Sequence, residues 1–359
     1  MVHLSTPQPD TGHFTTLSVR PSTKPSSTVS RTIRFPSNHY TRSPNLAAGF
    51  SALDLSSSSS AVRANLVGAN ITKKTFKILV ETWGDSTLHR ADATWIEHAK
   101  GARECQFGQF DTRDAEEGDA EHEARGGTKD GSGEREGKGR RELPQEHSLY
   151  IEFPHPFKEQ PTVIVWLNRL DLKSGEEHNY RINASATNVT TKGFMAHLDT
   201  WGDGVMNGAA MAWIAFPSEK RRVASGVVKT ADVRSWGNPK EKTSGWVQFP
   251  GRLFPPPRRK SGEKGVGGED KENLGEDKEN LGEVNGQTSG EVDGKEKEKE
   301  QKPTVLIALK MLDMAGNADL RIKTHATDVT REGFRWHLDT WDDSTLYAAE
   351  ASWIALGFA

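Results

Sequence analysis

The apolar residues of this chain fall in short strand-like runs rather than along helical stripes. Thr162–Leu172 sets Val163, Val165 and Leu167 on one side against Ile164 and Trp166 on the other. That alternation, with apolar residues on both sides, predicts a strand buried on one face and partly covered on the other. Phe194–Trp201 and Val205–Phe216 read as two further strands around the turn Trp201-Gly202-Asp203-Gly204. Outside two charged inserts, no segment sustains a helical period.

The same pattern occurs three times. The middle copy reads PTVIVWLNRLDL, then YRINASATNVTTKGFMAHLDTWGDGVMNGAAMAWIAF. The last reads PTVLIALKMLDM, then LRIKTHATDVTREGFRWHLDTWDDSTLYAAEASWIAL, and the first PNLAAGFSALDL, then VRANLVGANITKKTFKILVETWGDSTLHRADATWIEH. Arg63, Arg181 and Arg321 precede Trp83, Trp201 and Trp341 by one interval, and Trp95, Trp213 and Trp353 follow at another. Upstream, each copy starts on a Gly-containing segment: TGHFTT from Thr11, FGQFDT from Phe107, SGVVKT from Ser225. A short aromatic strand comes next (Ile33–Phe35, Tyr150–Phe153, Trp246–Phe249), then a proline-containing turn and the strand ending in LD[LM]. The copies therefore run Thr11–His98, Gln106–Phe216 and Ser225–Phe358. About six short strands in each predict an all-β chain of three tandem six-stranded antiparallel β-sandwiches.

Two inserts lengthen the later copies. Asp114–Glu146 is built of Gly, Glu, Arg and Lys, and Pro257–Lys302 is similar, with GEDKENL twice in tandem. Neither holds enough apolar surface to offset its ordering entropy, so both are expected to be disordered. One leucine per seven residues is too few for a coiled coil. The inserts also explain the modest hydrophobic fraction of 34% beside 27% charged residues. A net charge of −3 gives no field for nucleic acid. Basic runs such as Arg258–Lys260 sit beside acidic blocks. With a single cysteine, Cys105, no intramolecular disulfide forms. No run approaches a membrane span, and the N-terminus has no apolar stretch of signal-peptide length. The expected setting is cytoplasmic, or secreted without a cleaved signal peptide.

The string R-[IA]-x-x-x-[AG]-x-[ND]-[IV]-T-x-x-x-F, followed by T-W and then x-W-I, resembles the H-type lectin domain. That family includes the snail agglutinins and the C-terminal domain of discoidins. The resemblance implies a six-stranded sandwich that assembles as a trimer, with galactose or N-acetylgalactosamine bound between neighbouring protomers. It also implies the site residues: the arginine, the T-W tryptophan with the residue after it, and an aromatic six positions past that tryptophan. An acidic side chain on a loop of the neighbour adds to them. Carried over residue by residue, the sugar-binding set is Arg63, Trp83 and His89; Arg181, Trp201 and Asn207; and Arg321, Trp341, Asp342 and Tyr347. No catalytic residue, cofactor or metal is implied, and the chain is expected to be a multivalent binding protein, not an enzyme. The partners would be galactose- or N-acetylgalactosamine-containing glycans.

These residue types suit a sugar for physical reasons. Arginine offers five donors in a fixed fork for hydroxyls, and tryptophan a flat apolar surface for the C–H face. On residue type alone, each arginine could equally pair with a carboxylate such as Asp199 or Asp339 and merely hold the turn. Copy three has Tyr347 where copies one and two have His89 and Asn207, so its site looks the most intact. The residue after the tryptophan is Gly84, Gly202 or Asp342, where the snail agglutinin has histidine. Trp95, Trp213, Trp353, Phe76, Phe194 and Phe334 read as core. Each copy pairs an acid two before the tryptophan with an Asp two after it (Glu81 and Asp85, Asp199 and Asp203, Asp339 and Asp343), which could suggest hydrolysis. Turn capping is the alternative. His197 and His337 share one register position and could face a common axis and bind metal, or simply pack. Asn70, Asn183 and Asn188 begin N-x-[ST] sequons and read as turn residues. The alternative to sugar binding is a structural or protein-interaction array that has lost it.

Three such domains in one chain imply intramolecular repeat–repeat contacts, a pseudo-trimer in which no association cost is incurred. Because loop length costs little thermodynamically, deleting Glu116–Gly139 and Gly262–Glu300 is expected to leave the fold intact. Thermal melts of the deleted and full chains should coincide. A large drop in the midpoint would show the inserts packing on the domains.

Overall fold

The computed structural model describes residues 10–37, 40–114, 145–250, 254 and 302–357. Copy one supplies β1 (Thr11–Thr15), β2 (Thr28–Arg34), β3 (Asn45–Leu55), β4 (Ala61–Ala69), β5 (Thr75–Glu81) and β6 (Leu88–His98). Copy two supplies β7 (Gln106–Asp111), β8 (Glu146–Glu152), β9 (Pro161–Lys173), β10 (Tyr180–Thr187), β11 (Gly193–Asp199) and β12 (Met206–Pro217). Copy three supplies β13 (Val223–Lys229), β14 (Lys242–Gln248), β15 (Thr304–Met314), β16 (Leu320–Thr327), β17 (Gly333–Asp339) and β18 (Leu346–Leu356). Most of both charged inserts lies outside the described residues, although Glu146, placed in the first insert by its charge, opens β8. None of the described helices is long and apolar enough to cross a membrane.

Within each copy the first, sixth and third strands form one half-sheet, and the second, fifth and fourth form the other. No half-sheet stands alone. β4 of copy one pairs antiparallel with β9 of copy two, β10 of copy two with β15 of copy three, and β16 of copy three with β3 of copy one. Three six-stranded sheets result, each shared by two copies, and the pairing closes a ring of three within one chain. An unpaired edge would leave a row of backbone donors and acceptors open to other chains; the ring removes one such edge from every half-sheet.

Between the half-sheets lies an aromatic core repeated three times. Phe76, Phe194 and Phe334 are fully buried, and Trp95, Trp213 and Trp353 nearly so. Phe76 meets Trp95 edge-on at 5.1 Å, and the equivalent pairs meet at 5.6 and 5.3 Å. The starting glycines have a steric reason. A Cβ on Gly12 would come within 2.5 Å of the Trp95 ring, and one on Gly108 within 2.4 Å of Trp213.

A second apolar cluster lies where the copies meet, built from matched positions such as Ala47, Ile164 and Leu306, and Ile96, Ile214 and Ile354. It covers the far face of β9, so the middle of that strand, Ile164–Asn168, is buried on both sides where only partial cover was expected from its sequence. Trp166 is the largest residue here. It is fully buried and donates from Nε1 to the Ser352 carbonyl at 3.1 Å. Its matched positions are Gly49 and Ala308, and a Cβ on Gly49 would approach the Trp166 Cβ to 2.4 Å. One indole occupies space that three equal side chains could not share. Cys105 joins the same cluster, and burial pushes its thiol up to about 12, which keeps it protonated and unreactive.

Copy one carries a buried acid that the others lack: Glu97 stands where β12 has Ala215 and β18 has Ala355. Burial, with Asp10 bonded to it, pushes its carboxyl up to about 9, so it is protonated at neutral pH. In the unfolded chain that group titrates near pH ~4.3. Between these values the folded state binds more protons, so its contribution to stability falls as pH rises. Glu97→Gln should therefore gain on the parent as pH climbs from about 5 to about 9, by at most about 1.4 kcal/mol per unit, with little difference at pH ~4. Denaturant melts across that range check it. A pH-independent difference would refute the assignment.

Candidate functional site

The junction strands set the site. Directly across them, Arg63 opposes Asp171, Arg181 opposes Asp313, and Arg321 opposes Asp54. Each arginine turns its Nε to that aspartate: 3.3 Å to Asp171, 3.0 Å to Asp313 and 3.4 Å to Asp54. The aspartate is the D of the LD[LM] strand in the next copy, so every site is built from two copies. A second carboxylate, two residues past the tryptophan, takes Nη1: Asp85 at 2.6 Å from Arg63, Asp203 from Arg181, and Asp343 from Arg321. The Ser60 backbone amide together with Arg63 holds the Asp85 carboxyl down at about 2. The arginines thus pair with carboxylates, as the structural reading required, but not with Asp199 or Asp339.

The turn after the tryptophan explains the glycines. Gly84 and Gly202 sit at φ +64° and +60°, and a Cβ there would press on the guanidinium of Arg63 or Arg181. Asp342 takes the same left-handed backbone at φ 56°, and its carboxylate lies 3.8 Å from Arg321 Nε. Asp319 adds a further carboxylate on Arg321 Nη2. All three nitrogens of the Arg321 guanidinium therefore face acids. Arg63 has a long 3.4 Å contact from Nη2 to Ser60. Arg181 Nη2 has no protein partner among the described residues, leaving its donors available.

The position six past each tryptophan lies in a β-bulge beside the LD aspartate of its own copy. It therefore faces the arginine of the preceding copy. Asn207 Nδ2 donates to Asp171 Oδ1 at 3.0 Å, beside Arg63 and Trp83. His89 is electrostatically coupled to Asp54, beside Arg321. Tyr347 lies beside Asp313 and Arg181. The sets read linearly along the sequence are thereby redistributed: Arg321 and Trp341 do not share a site with Tyr347. The three groups are Arg63, Trp83 and Asn207; Arg181, Trp201 and Tyr347; and Arg321, Trp341, Asp342 and His89.

Some residues of these sites were missed in the sequence. Trp236 is 54% exposed, stacks on Tyr347 at 4.9 Å and 23°, and donates from Nε1 to Asp313 Oδ2 at 2.8 Å. Buried Arg234 fixes its loop by donating to the Tyr347 and Leu346 carbonyls, both at 2.8 Å. Arg20 does the same for His89 and Leu88 in copy one. At the first junction, Arg169 lies 5.5 Å over the Trp83 ring and pairs with Asp111 at 3.0 Å. The LD repeat was the available signal for the aspartates; nothing periodic marked Trp236.

Other candidates resolve differently. Asp85, Asp203 and Asp343 are engaged by the arginines, so the acid pairs do not stand as two free carboxyls. His197 and His337 hydrogen-bond Thr187 and Thr327 at 2.7 and 2.9 Å. His325 stacks on His337 at 4.4 Å with ring planes 7° apart, and Asp339 is close by. Near-parallel rings keep their in-plane lone pairs from converging on one ion. Asn70 and Asn188 are turn residues at positive φ, whereas Asn183 lies in β10 and accepts from Lys310 Nζ at 3.2 Å.

The sequence profile of the H-type lectin domain matches residues 30–96, 148–216 and 297–356, together more than half of the chain. The chain belongs to the H-type lectin domain family, with three copies in tandem. Over 75 residues it is 35% identical to "ATP synthase subunits region ORF 7" of Fuscovulum blasticum, covering 21% of this chain and 64% of that protein. The chain thus spans just under two thirds of that relative's length. Two solved structures of discoidin II of Dictyostelium discoideum are similar at 14% identity. The recombinant form aligns over 52% of this chain and 77% of its own, with a TM-score of 0.22, and the wild-type form over 48% and 73%, with 0.21.

The junction acids differ in exposure, which sets their energetic weight. Asp313 is buried at 4% exposure and serves two donors, whereas the Asp343 side chain is 70% exposed. Asp313→Ala should cost about 2–3 kcal/mol by leaving the largely buried Arg181 guanidinium without its cross-strand partner. Asp343→Ala should cost under about 1 kcal/mol. Urea unfolding of the two variants measures both; equal losses would mean the cross-strand pair does not brace the ring.

Proposed function

We propose that the chain is a multivalent lectin for galactose- or N-acetylgalactosamine-type glycans, with its sites at the junctions between copies. Membership of the H-type lectin family supports the class. The observation that carries the site is the repeated arginine, fixed by an aspartate of the next copy and set beside a tryptophan. Fixing the fork in advance reduces the ordering cost of presenting its donors to hydroxyls. Three weak sites in one ring would raise avidity on clustered glycans by about 10²–10⁴.

The Arg181 junction is the strongest of the three. It combines a donor without a protein partner, Trp201, and the stacked pair Trp236 and Tyr347. The Arg321 junction is the weakest, because carboxylates surround its guanidinium. That saturation also favours a second reading for this junction alone, in which the fold is kept as a brace and sugar binding is lost.

Calorimetric titration with methyl β-galactoside tests the order. Arg181→Ala should weaken binding by about tenfold or more, the loss expected for charge-assisted hydrogen bonds, while Arg321→Ala changes it less than about twofold. Melting curves of both variants confirm that each is folded. No binding by the parent chain, on the galactoside or on a glycan array, would leave the structural reading in place.

A further inference from the structure

Beside Trp201, at the junction of copies two and three, lies a cavity of about 410 Å³ lined in part by Asn183, Asp199, Lys229, Lys310 and Glu350. That volume falls within the ~300–1,000 Å³ usual for small-molecule sites. Trp201 lines this space and Arg181 does not, so it is separate from the immediate surroundings of the guanidinium. Its polar groups are set in place. Lys310 Nζ is bonded to Glu350 at 3.1 Å and to Asn183 at 3.2 Å, and Lys229 bonds the other Glu350 oxygen at 3.0 Å. Asp199 Oδ1 is buried with no hydrogen-bond partner among the described residues.

We infer that this cavity is a second subsite, taking the next, neutral sugar ring of an oligosaccharide whose first ring lies at Arg181. The inference rests on the sugar-site reading above. Neutral chemistry follows from the lining: two ammonium groups face the carboxyls of Glu350, Asp199 and Glu146, so no single sign dominates. Burial also pushes the Asp199 carboxyl up from its ordinary value. Interleaved donors and acceptors beside an indole are what a ring of hydroxyls with an apolar face requires.

The first junction shows how such a space is closed. Two residues before the LD aspartate stands Arg169 in copy two and Met311 in copy three. Arg169 covers Trp83 and is held by Asp111, whereas Met311 leaves the corresponding space open beside Lys229.

Calorimetry on the full chain with methyl β-galactoside, and with galactosyl disaccharides differing in linkage, tests this. At least one disaccharide should bind about tenfold tighter than the monosaccharide, and Arg181→Ala should abolish that preference. The double variant Lys229→Asp, Met311→Arg rebuilds the covering seen at the first junction. It should bring the disaccharide advantage to within about twofold while monosaccharide binding stays within about twofold. Lys310→Met, which leaves Glu350 paired with Lys229, should reduce the advantage without the added bulk. If no disaccharide exceeds the monosaccharide, or if these variants weaken both alike, the subsite is refuted and the Arg181 site stands. If the monosaccharide does not bind at all, the sugar-site reading fails, and the subsite with it.

Discussion

Pairing between copies is the constraint on which this molecule depends. A three-stranded half-sheet has two edges, each offering a row of unpaired backbone donors and acceptors. Here each half-sheet gives one edge to a half-sheet of the next copy. Three such pairings close a ring with no copy left over. Antiparallel pairing satisfies the backbone along β4 and β9, β10 and β15, and β16 and β3, and it fixes register. Register in turn decides which side chains oppose each other, since a shift of one residue would turn each to the other face.

The binding groups are consequences of that register. Arg63, Arg181 and Arg321 oppose an aspartate because the strands pair as they do, and the ion pair then stiffens the joint that created it. Stability and recognition draw on the same residues. This coupling explains why the arginines are common to all copies while their surroundings differ. Arg169 over Trp83, the Trp236–Tyr347 stack, and the acids around Arg321 are changes at the periphery of one retained core. Covalent linkage permits them, because each copy needs to suit only its own two neighbours.

Much of this was legible in the sequence. Strand alternation, the triple spacing of arginine and tryptophan, and the aromatic core positions are local or periodic, and the structure has them where the pattern put them. The grouping of residues into sites was not legible. His89, Asn207 and Tyr347 are close in sequence to one tryptophan but, through the bulge, lie across a joint from the arginine of another copy. That depends on how copies pack, which no spacing within a copy encodes. Trp236 escaped because it occurs once: the matching loop of copy one keeps the arginine as Arg20 but has Ser22 in the tryptophan's place. The aspartates of the LD strands were visible as landmarks, yet their role appears only when the opposing strand is known.

The Trp166, Gly49 and Ala308 triad gives the chain a fixed seating order. A ring made from three identical copies of any one segment would put three indoles, three glycines or three alanines into that central space: a clash in the first case, a void in the others. The three segments have therefore become non-interchangeable parts. Their order along the polypeptide determines which junction receives Tyr347 and which receives His89, so shuffling the segments would scramble recognition and unmake the centre together. Having once been equivalent, they can no longer replace one another.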